Sequence, residues 1–388
     1  MAAIFRRPEL AAQMASQLLH PGVLDEGLRS GLFLSGLRRT GKTTFLRNDL
    51  IPALEQQGAL VIYVDLWSDT KASPGALVRG AVRQALAELQ SPVSSLLRAK
   101  LASLRQVDVA AMGFTFGFQL ETLGREGGAT MAQAFAEVVD QAKADLVLII
   151  DEVQQAVTSD DGNQMLLALK AARDAVNLQP HMPGSFLFIG TGSHRAQVSE
   201  LTARRNQAFA GATSLPYPAL GRDYVEHVLQ RLGEAGIRPL PSLDGAVACF
   251  ETLGNRPEEL GQALRQMHAN ASSGVEPDTL LSVIASTLRS KAVDIELSKV
   301  ERIGSLAMAV FSRVARADSL ARGLFSAEAA AEYAKAVGRE VRTDEIQSVV
   351  NELLADNILM RPSHGRYDVT DPYVKEIWRE REAFPPEI

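Results

Sequence analysis

Cys249 is the one cysteine in this 388-residue sequence, so no disulfide can close within the chain and the composition fits a reducing compartment. It sits in an apolar patch, Ala246-Val247-Ala248-Cys249-Phe250, the surroundings of a packed side chain rather than of a nucleophile. Long apolar runs are lacking too. Nothing approaches the ~18 consecutive apolar residues of a membrane span, and Met1–Pro8 carries no apolar run of the kind a signal peptide needs. There is no surplus of positive charge: 40 Lys and Arg against 46 Asp and Glu leave a net −6. That balance argues against a surface coated for non-specific nucleic-acid binding, although a local basic face stays open. Internal repeats and low-complexity segments are absent as well. A hydrophobic fraction of 46% with 22% charged residues is that of a globular protein, long enough for two or three domains. The expectation is a soluble, cytoplasmic protein.

The strongest local signal is Gly36-Leu37-Arg38-Arg39-Thr40-Gly41-Lys42-Thr43-Thr44. Leu32-Phe33-Leu34 before it reads as a short buried strand, and Phe45–Ile51 after it as a helix stopped before Pro52. Strand, glycine loop and helix are the context that makes G-x-x-x-x-G-K-[ST] a phosphate site. Gly36 and Gly41 let the backbone curl so that N–H groups point at a phosphate at the positive end of the helix. Lys42 is then placed for the β- and γ-phosphates, and the Thr43 hydroxyl for Mg²⁺. The spacing predicts a nucleoside triphosphate site.

The rest of the amino-terminal half alternates strands with helices. Helical periodicity runs from about Ile4 to Gly22 on Leu10, Met14 and Leu18. Strands are predicted at 59–65, 146–152, 186–191 and around 213–216, with helices at about 74–104 (broken near Ser91-Pro92), 131–143 and 163–177. The run Leu146-Val147-Leu148-Ile149-Ile150-Asp151-Glu152 is apolar throughout, as a strand buried on both faces requires, and ends in two acids. Met112–Phe118 alternates at the strand period and suggests a small hairpin, with Phe114, Phe116 and Phe118 on a packed face or available to stack bases. The implied fold is α/β: a doubly wound parallel-sheet core with its ligand at the carboxyl ends of the strands, over residues 1–218.

From about 219 to 297 helices take over and suggest a helical lid, in which Gly254-Asn255-Arg256-Pro257-Glu258-Glu259 opens a helix. Over 298–388, helical patterns at about 303–316, 325–337 and 343–356 precede two extended pieces, 358–361 and 366–369, joined at Ser363-His364-Gly365. Three helices and a hairpin make a winged-helix domain. Its third helix, from Thr343 to Leu353, carries three acids and no basic residue, unfavourable for facing phosphates. Arg361, His364 and Arg366 on the wing are enough for a backbone contact but not for strong binding alone, and Arg313, Arg316 and Arg322 could form another patch. The domain therefore reads as a clamp or protein-interaction surface with a hinge near Ser290–Lys299, and a DNA-bound initiator or transposition-type regulator is the alternative.

Asp151 at a buried strand end can reach Mg²⁺ beside Thr43, and Glu152 can polarise an attacking water. Thr191, ending the next strand, is placed for the γ-phosphate or the water, and Arg195, four residues later, could approach the nucleotide or a neighbour. The extra cation that such hydrolysis uses has as candidates Arg204, Arg205 and Arg222, with Arg256 from the lid.

Together the strings GLRRTGKTT, LVLIIDEVQQ, FLFIGTGSHR and GNRPEEL resemble the AAA+-like ATPases of the STAND class, and in particular the archaeal-type ATPase group, which is similar to the origin-recognition initiator ATPases. The resemblance spans almost the whole chain. It extends to the opening box around Arg7 that packs on adenine, the doubled Arg38-Arg39, Gln154 after the acids, and Asp371-Pro372-Tyr373. It implies an ATP-driven switch, with ATP and Mg²⁺ as ligands and a protein partner or a second copy of the chain as client. Arg7, Gly36, Arg38, Arg39, Thr40, Gly41, Lys42, Thr43, Thr44 and Arg256 fall at nucleotide-binding positions, Thr43 and Asp151 at the metal, and Lys42, Glu152, Thr191 and Arg205 at catalytic ones. Thr191 stands at the sensor-1 position, where initiator relatives usually carry asparagine, and Arg256 lies next to the sensor-2 arginine but precedes Pro257.

Overall fold

The structure, a computed structural model, describes residues 4–69, 71–90, 114–124, 127–193, 198, 201–202, 207–271, 274–363 and 365–383. The chain divides into two compact units, residues 1–36 with 42–217 and residues 37–41 with 218–388.

In the first unit, β1 (Leu32–Ser35), β2 (Leu60–Asp65), β3 (Leu146–Asp151), β4 (Phe186–Gly192) and β5 (Thr213–Pro216) form one parallel sheet in the order β2-β3-β4-β1-β5. β3 shows why its run is apolar from Leu146 to Ile150. Side chains alternate across a sheet. Leu146, Leu148 and Ile150 enter one core with helices Pro74–Gln90, Met131–Ala142 and Asp160–Asn177, whereas Val147 and Ile149 enter a second with helix Pro8–Leu19 and the helical stretch 42–56. Helix Pro74–Gln90 buries Val78, Val82, Leu86 and Leu89, a single stripe at helical spacing. Helix Met131–Ala142 starts at a capping box in which Thr130 and Gln133 satisfy each other's backbone N–H groups.

Two local expectations fail, each for a visible reason. The helix after the glycine loop does not stop before Pro52; it runs on to Gln56 through a π-helical turn at Leu46–Leu50. A proline cannot donate to the carbonyl four residues back, and its ring crowds it. The widened turn removes that conflict, and the carbonyl concerned, on Asn48, accepts from Arg6 Nη2 instead. Residues 114–118 form no strand, and Met112 and Gly113 lie outside the described residues. Side chains of helix Met131–Ala142 take the place of a partner strand. Thr115 N donates to Gln141 Oε1 at 3.1 Å, Gln141 Nε2 donates to the Thr115 carbonyl at 2.7 Å, and Gly117 N donates to Glu137 Oε2 at 3.0 Å. Phe114 and Phe116 are buried, so their rings pack in the core and are not free to stack bases.

The second unit holds helices Arg222–Glu234, Leu243–Thr252, Pro257–Ala269 and Pro277–Ile303, followed by Ser305–Arg316, Ala327–Val337 and Thr343–Ala355. A small antiparallel sheet, β6 (Ala321–Arg322), β7 (Leu359–Ser363) and β8 (Arg366–Val369), has the order β6-β8-β7, and helix Pro372–Ala383 ends the described chain. The division expected at residue 297, and the hinge near Ser290–Lys299, fall inside the continuous 27-residue helix Pro277–Ile303. Its buried residues Leu281, Ile284, Ala285 and Leu288 continue as Val293, Leu297 and Val300. The five-residue step from Leu288 to Val293 moves the apolar stripe by about 140° around the helix, so one unbroken helix serves two successive cores. Two features have no counterpart in the sequence reading. β6 is two residues long, and helix Pro372–Ala383 is polar, burying only Val374 and Ile377. Cys249 is buried beside Ala246 and Phe250, and burial pushes its thiol up to about 12.

Candidate nucleotide site

The glycine loop leaves β1 at Gly36, whose N–H donates to the Gly192 carbonyl of β4 at 3.1 Å. A Cβ at Gly36 would lie 3.2 Å from Tyr217 Cβ, so the loop passes β5 with no room for a side chain. Gly41 has φ 90°, a left-handed backbone that glycine adopts without strain. Arg39, at φ 65°, holds the same region without that freedom and is exposed, as is Arg38. Thr40 is buried and closes the loop internally, its Oγ1 donating to the Leu37 carbonyl at 2.8 Å. Lys42, only 6% exposed, turns its Nζ back to donate to the Gly36 carbonyl at 2.8 Å. An ammonium held against the mouth of a curled loop, at a helix amino terminus, is arranged for a bound phosphate.

Sheet order decides what faces that ammonium. β4 lies between β1 and β3, with Leu34 opposite Thr191 and Ile150 opposite Gly190. The strand carrying Thr191 is thus wedged between the loop and the acids. Asp151 is 1% exposed and receives four donors: Thr43 Oγ1 at 2.6 Å and Tyr63 Oη at 3.0 Å on Oδ2, Thr191 Oγ1 and the Glu152 N–H (3.1 Å) on Oδ1. A carboxylate offers about four acceptor positions, and all are used. Because Thr43 donates its proton to Asp151, its oxygen lone pairs face outward and, with the carboxylate, could hold a hard divalent cation. Among the described residues no group of three or more His, Cys, Asp or Glu side chains is gathered for a metal. An ion here would draw its other ligands from phosphate and water, as Mg²⁺ ordinarily does.

Glu152 has left-handed backbone, φ 58°, which turns its side chain away from the strand direction. Its Oε2 accepts from Ser193 Oγ at 2.9 Å and from Gln154 Nε2, and Gln154 is fully buried. Gln154 Oε1 has no hydrogen-bond partner among the described residues. The carboxylate is therefore held by two neutral donors at the end of β4. Those partners had no sequence signal beyond family likeness for Gln154, and none for Ser193.

Arg7 caps helix Pro8–Leu19 with its guanidinium 5.9 Å from the ring centres of both Phe45 and Tyr217. Burial holds the Tyr217 phenol above its ordinary range, with Arg7 opposing. Thr44 is exposed, and its carbonyl accepts from Asn48 Nδ2 at 2.9 Å. In the second unit, the Arg256 guanidinium donates to Asp371 at 2.7 Å, and Arg222 makes a surface pair with Asp244, also at 2.7 Å. Arg195, Arg204 and Arg205 lie outside the described residues.

A parallel sheet in this order, with a P-loop on β1 and an acid-tipped β3 separated from it by β4, defines a P-loop nucleotide-binding α/β core. Residues 26–198 match the family model described as the AAA domain. No curated protein matches the sequence. Among solved structures the chain is similar to a Walker-type ATPase of Pyrococcus abyssi, at 14% identity and TM-score 0.56 over 97% of this chain and 96% of that one. It is also similar to the ORC2 protein of Aeropyrum pernix in its ADP form, at 12% identity and TM-score 0.54 over 98% and 94% of the two chains. The fold is similar to that of these two proteins. Among the described residues no helix is long and apolar enough to cross a membrane.

Proposed function

We propose that this chain is an ATPase switch: it binds ATP with Mg²⁺, hydrolyses it, and through its nucleotide state controls a protein partner or its own assembly. One observation carries the reading. Thr43, Thr191 and the Glu152 backbone converge on the buried carboxylate of Asp151, in the unit that holds Lys42 at the mouth of the glycine loop. Mg²⁺ on Thr43 and Asp151 would supply charge neutralisation between the β- and γ-phosphates. Lys42 exchanges the Gly36 carbonyl for phosphate oxygens. Glu152, released from Gln154 and Ser193, takes a proton from the attacking water. Thr191 holds Asp151 in place, and Arg7 with Tyr217 forms the wall against which adenine packs. The A. pernix ORC2 protein has been captured with ADPNP and ADP, which supports an adenine nucleotide here. Residues 219–297 act as a helical lid, and 298–388 as a winged helix of the STAND type that meets the client. Two acids of its third helix are engaged on the surface, Asp344 by Arg342 and Glu345 by Arg339, and neither pair adds a free cation for DNA. The protein works in the cytoplasm, where ATP and Mg²⁺ are abundant.

Calorimetry with ATP and Mg²⁺, followed by single-turnover hydrolysis, tests this. Lys42→Ala should weaken nucleotide binding by about tenfold or more, the loss of one charge-assisted phosphate contact. Glu152→Gln should keep nucleotide and stop turnover. A flat titration of the unaltered protein overturns the reading. Sizing by mass with ADP and with a non-hydrolysable analogue reports the output, and salt-titrated DNA binding with and without ATP reports whether the client is DNA.

A further inference from the structure

β2 contributes a residue that the roles above leave unused. Tyr63 projects from it toward β3, and its hydroxyl donates to Asp151 Oδ2 at 3.0 Å, the oxygen that also accepts from Thr43. On its other side the ring carries the guanidinium of Arg47, 4.7 Å from the ring centre, in the π-helical turn that follows the P-loop helix. Arg47 also feels the phenol oxygen, Asp65 and Asp151, which together hold its proton more tightly than usual. Asp65 ends β2 directly opposite Asp151 in the strand register. The Arg47 cation thus lies over the ring whose hydroxyl holds the carboxylate.

We infer that Tyr63 is a positioning residue for the metal, fixing Asp151 in the orientation that Thr43 shares, with Arg47 clamping the ring. The inference rests on the ATP–Mg²⁺ reading above and adds a role to a residue outside its motifs. Oδ1 is held by Thr191 and the Glu152 N–H and Oδ2 by Thr43, and Tyr63 supplies the second donor to Oδ2. The carboxylate then presents no lone pair without a donor. That favours contact with a cation through its water shell, the mode Mg²⁺ prefers because it dehydrates reluctantly. Without the phenol, Oδ2 is anchored by Thr43 alone, and the carboxylate is held less firmly where a cation binds.

The test is a Mg²⁺ titration of Tyr63→Phe, read by the fluorescence of a bound mant-labelled ADP, beside the affinity for the same nucleotide in EDTA. Phenylalanine keeps the ring and its contact with Arg47. Loss of one hydrogen bond to a charged group should raise the Mg²⁺ midpoint by about fivefold to tenfold, with affinity in EDTA unchanged. In an Asp151→Asn background the same substitution should add no further shift, because Tyr63 acts through that carboxylate. Arg47→Met, on the exposed side of the contact, should move the midpoint in the same direction and carries the test if Tyr63→Phe does not fold. An unchanged midpoint in a folded variant overturns the inference. So does an equal loss in EDTA and in Mg²⁺, which marks a purely structural role, or a full additional shift in Asp151→Asn. Should the unaltered protein bind the nucleotide with no Mg²⁺ dependence at all, the metal reading itself falls and takes the inference with it.

Discussion

Thr191→Val removes one hydroxyl from the centre of the first unit and changes little else. Thr191 and Asp151 are each 1% exposed, and the hydroxyl donates directly to Oδ1. Valine fills the same volume, so no cavity opens and the cost is that of the lost bond. A hydrogen bond to a buried charged group is worth about 1.5–3 kcal/mol. Oδ1 keeps the Glu152 N–H at 3.1 Å, which places the expectation at about 2 kcal/mol. For a unit of this size that is a fall in Tm of about 4–8 °C. The two tryptophans lie one in each unit, Trp67 just after β2 and Trp378 in the last helix. In a Trp378→Phe background, fluorescence therefore follows urea unfolding of the first unit alone. The midpoint should drop with the m value unchanged. Thr191→Ser, which keeps the hydroxyl and loses only a methyl, should cost about 1 kcal/mol. If Thr191→Val costs less than about 0.5 kcal/mol, or Thr191→Ser costs as much, the hydroxyl is not engaged with Asp151 and the account of the carboxylate is wrong.

Further substitutions probe other parts of the structure. Gly192→Ala would place a Cβ 2.2 Å from Gln154 Oε1 and 2.6 Å from Val198 Cγ2, so Gln154 must leave Glu152. A loss of about 1–3 kcal/mol from overpacking is expected in urea unfolding, together with an altered single-turnover rate, and a stability within experimental error of the parent would refute the tight approach. In the second unit, Arg256 and Asp371 are each 21% exposed and 2.7 Å apart. A double-mutant cycle of Arg256→Ala with Asp371→Asn in a Trp67→Phe background, followed by Trp378 fluorescence in urea, should give a coupling of about 1–2 kcal/mol, between the values of surface and buried pairs. Additive effects would show the pair to be idle.

Several features of this chain follow from local chemistry and were legible without a fold. The glycine loop has to curl because Gly36 and Gly41 stand six and one residues ahead of Lys42. The central strand runs declare themselves because a sheet covered on both faces favours apolar residues at successive positions, as β3 demonstrates from Leu146 to Ile150. Asp151 and Glu152 are visible for the same reason, as acids where an apolar run stops. What the sequence could not determine is which side chains meet from different strands. Tyr63 reads as an ordinary β-former, and its bond to Asp151 exists because β2 and β3 are neighbours with Asp65 and Asp151 in register. Thr191 reads as a contact to the γ-phosphate or the water; that its hydroxyl also meets the carboxylate follows from the position of β4 between β1 and β3. The unbroken helix Pro277–Ile303 and the π-turn ahead of Pro52 were likewise settled by tertiary partners, a second core in one case and Arg6 in the other. Periodicity and motif spacing are properties of adjacent residues; strand order and register are properties of the packed whole, and the chemistry around Asp151 depends on them.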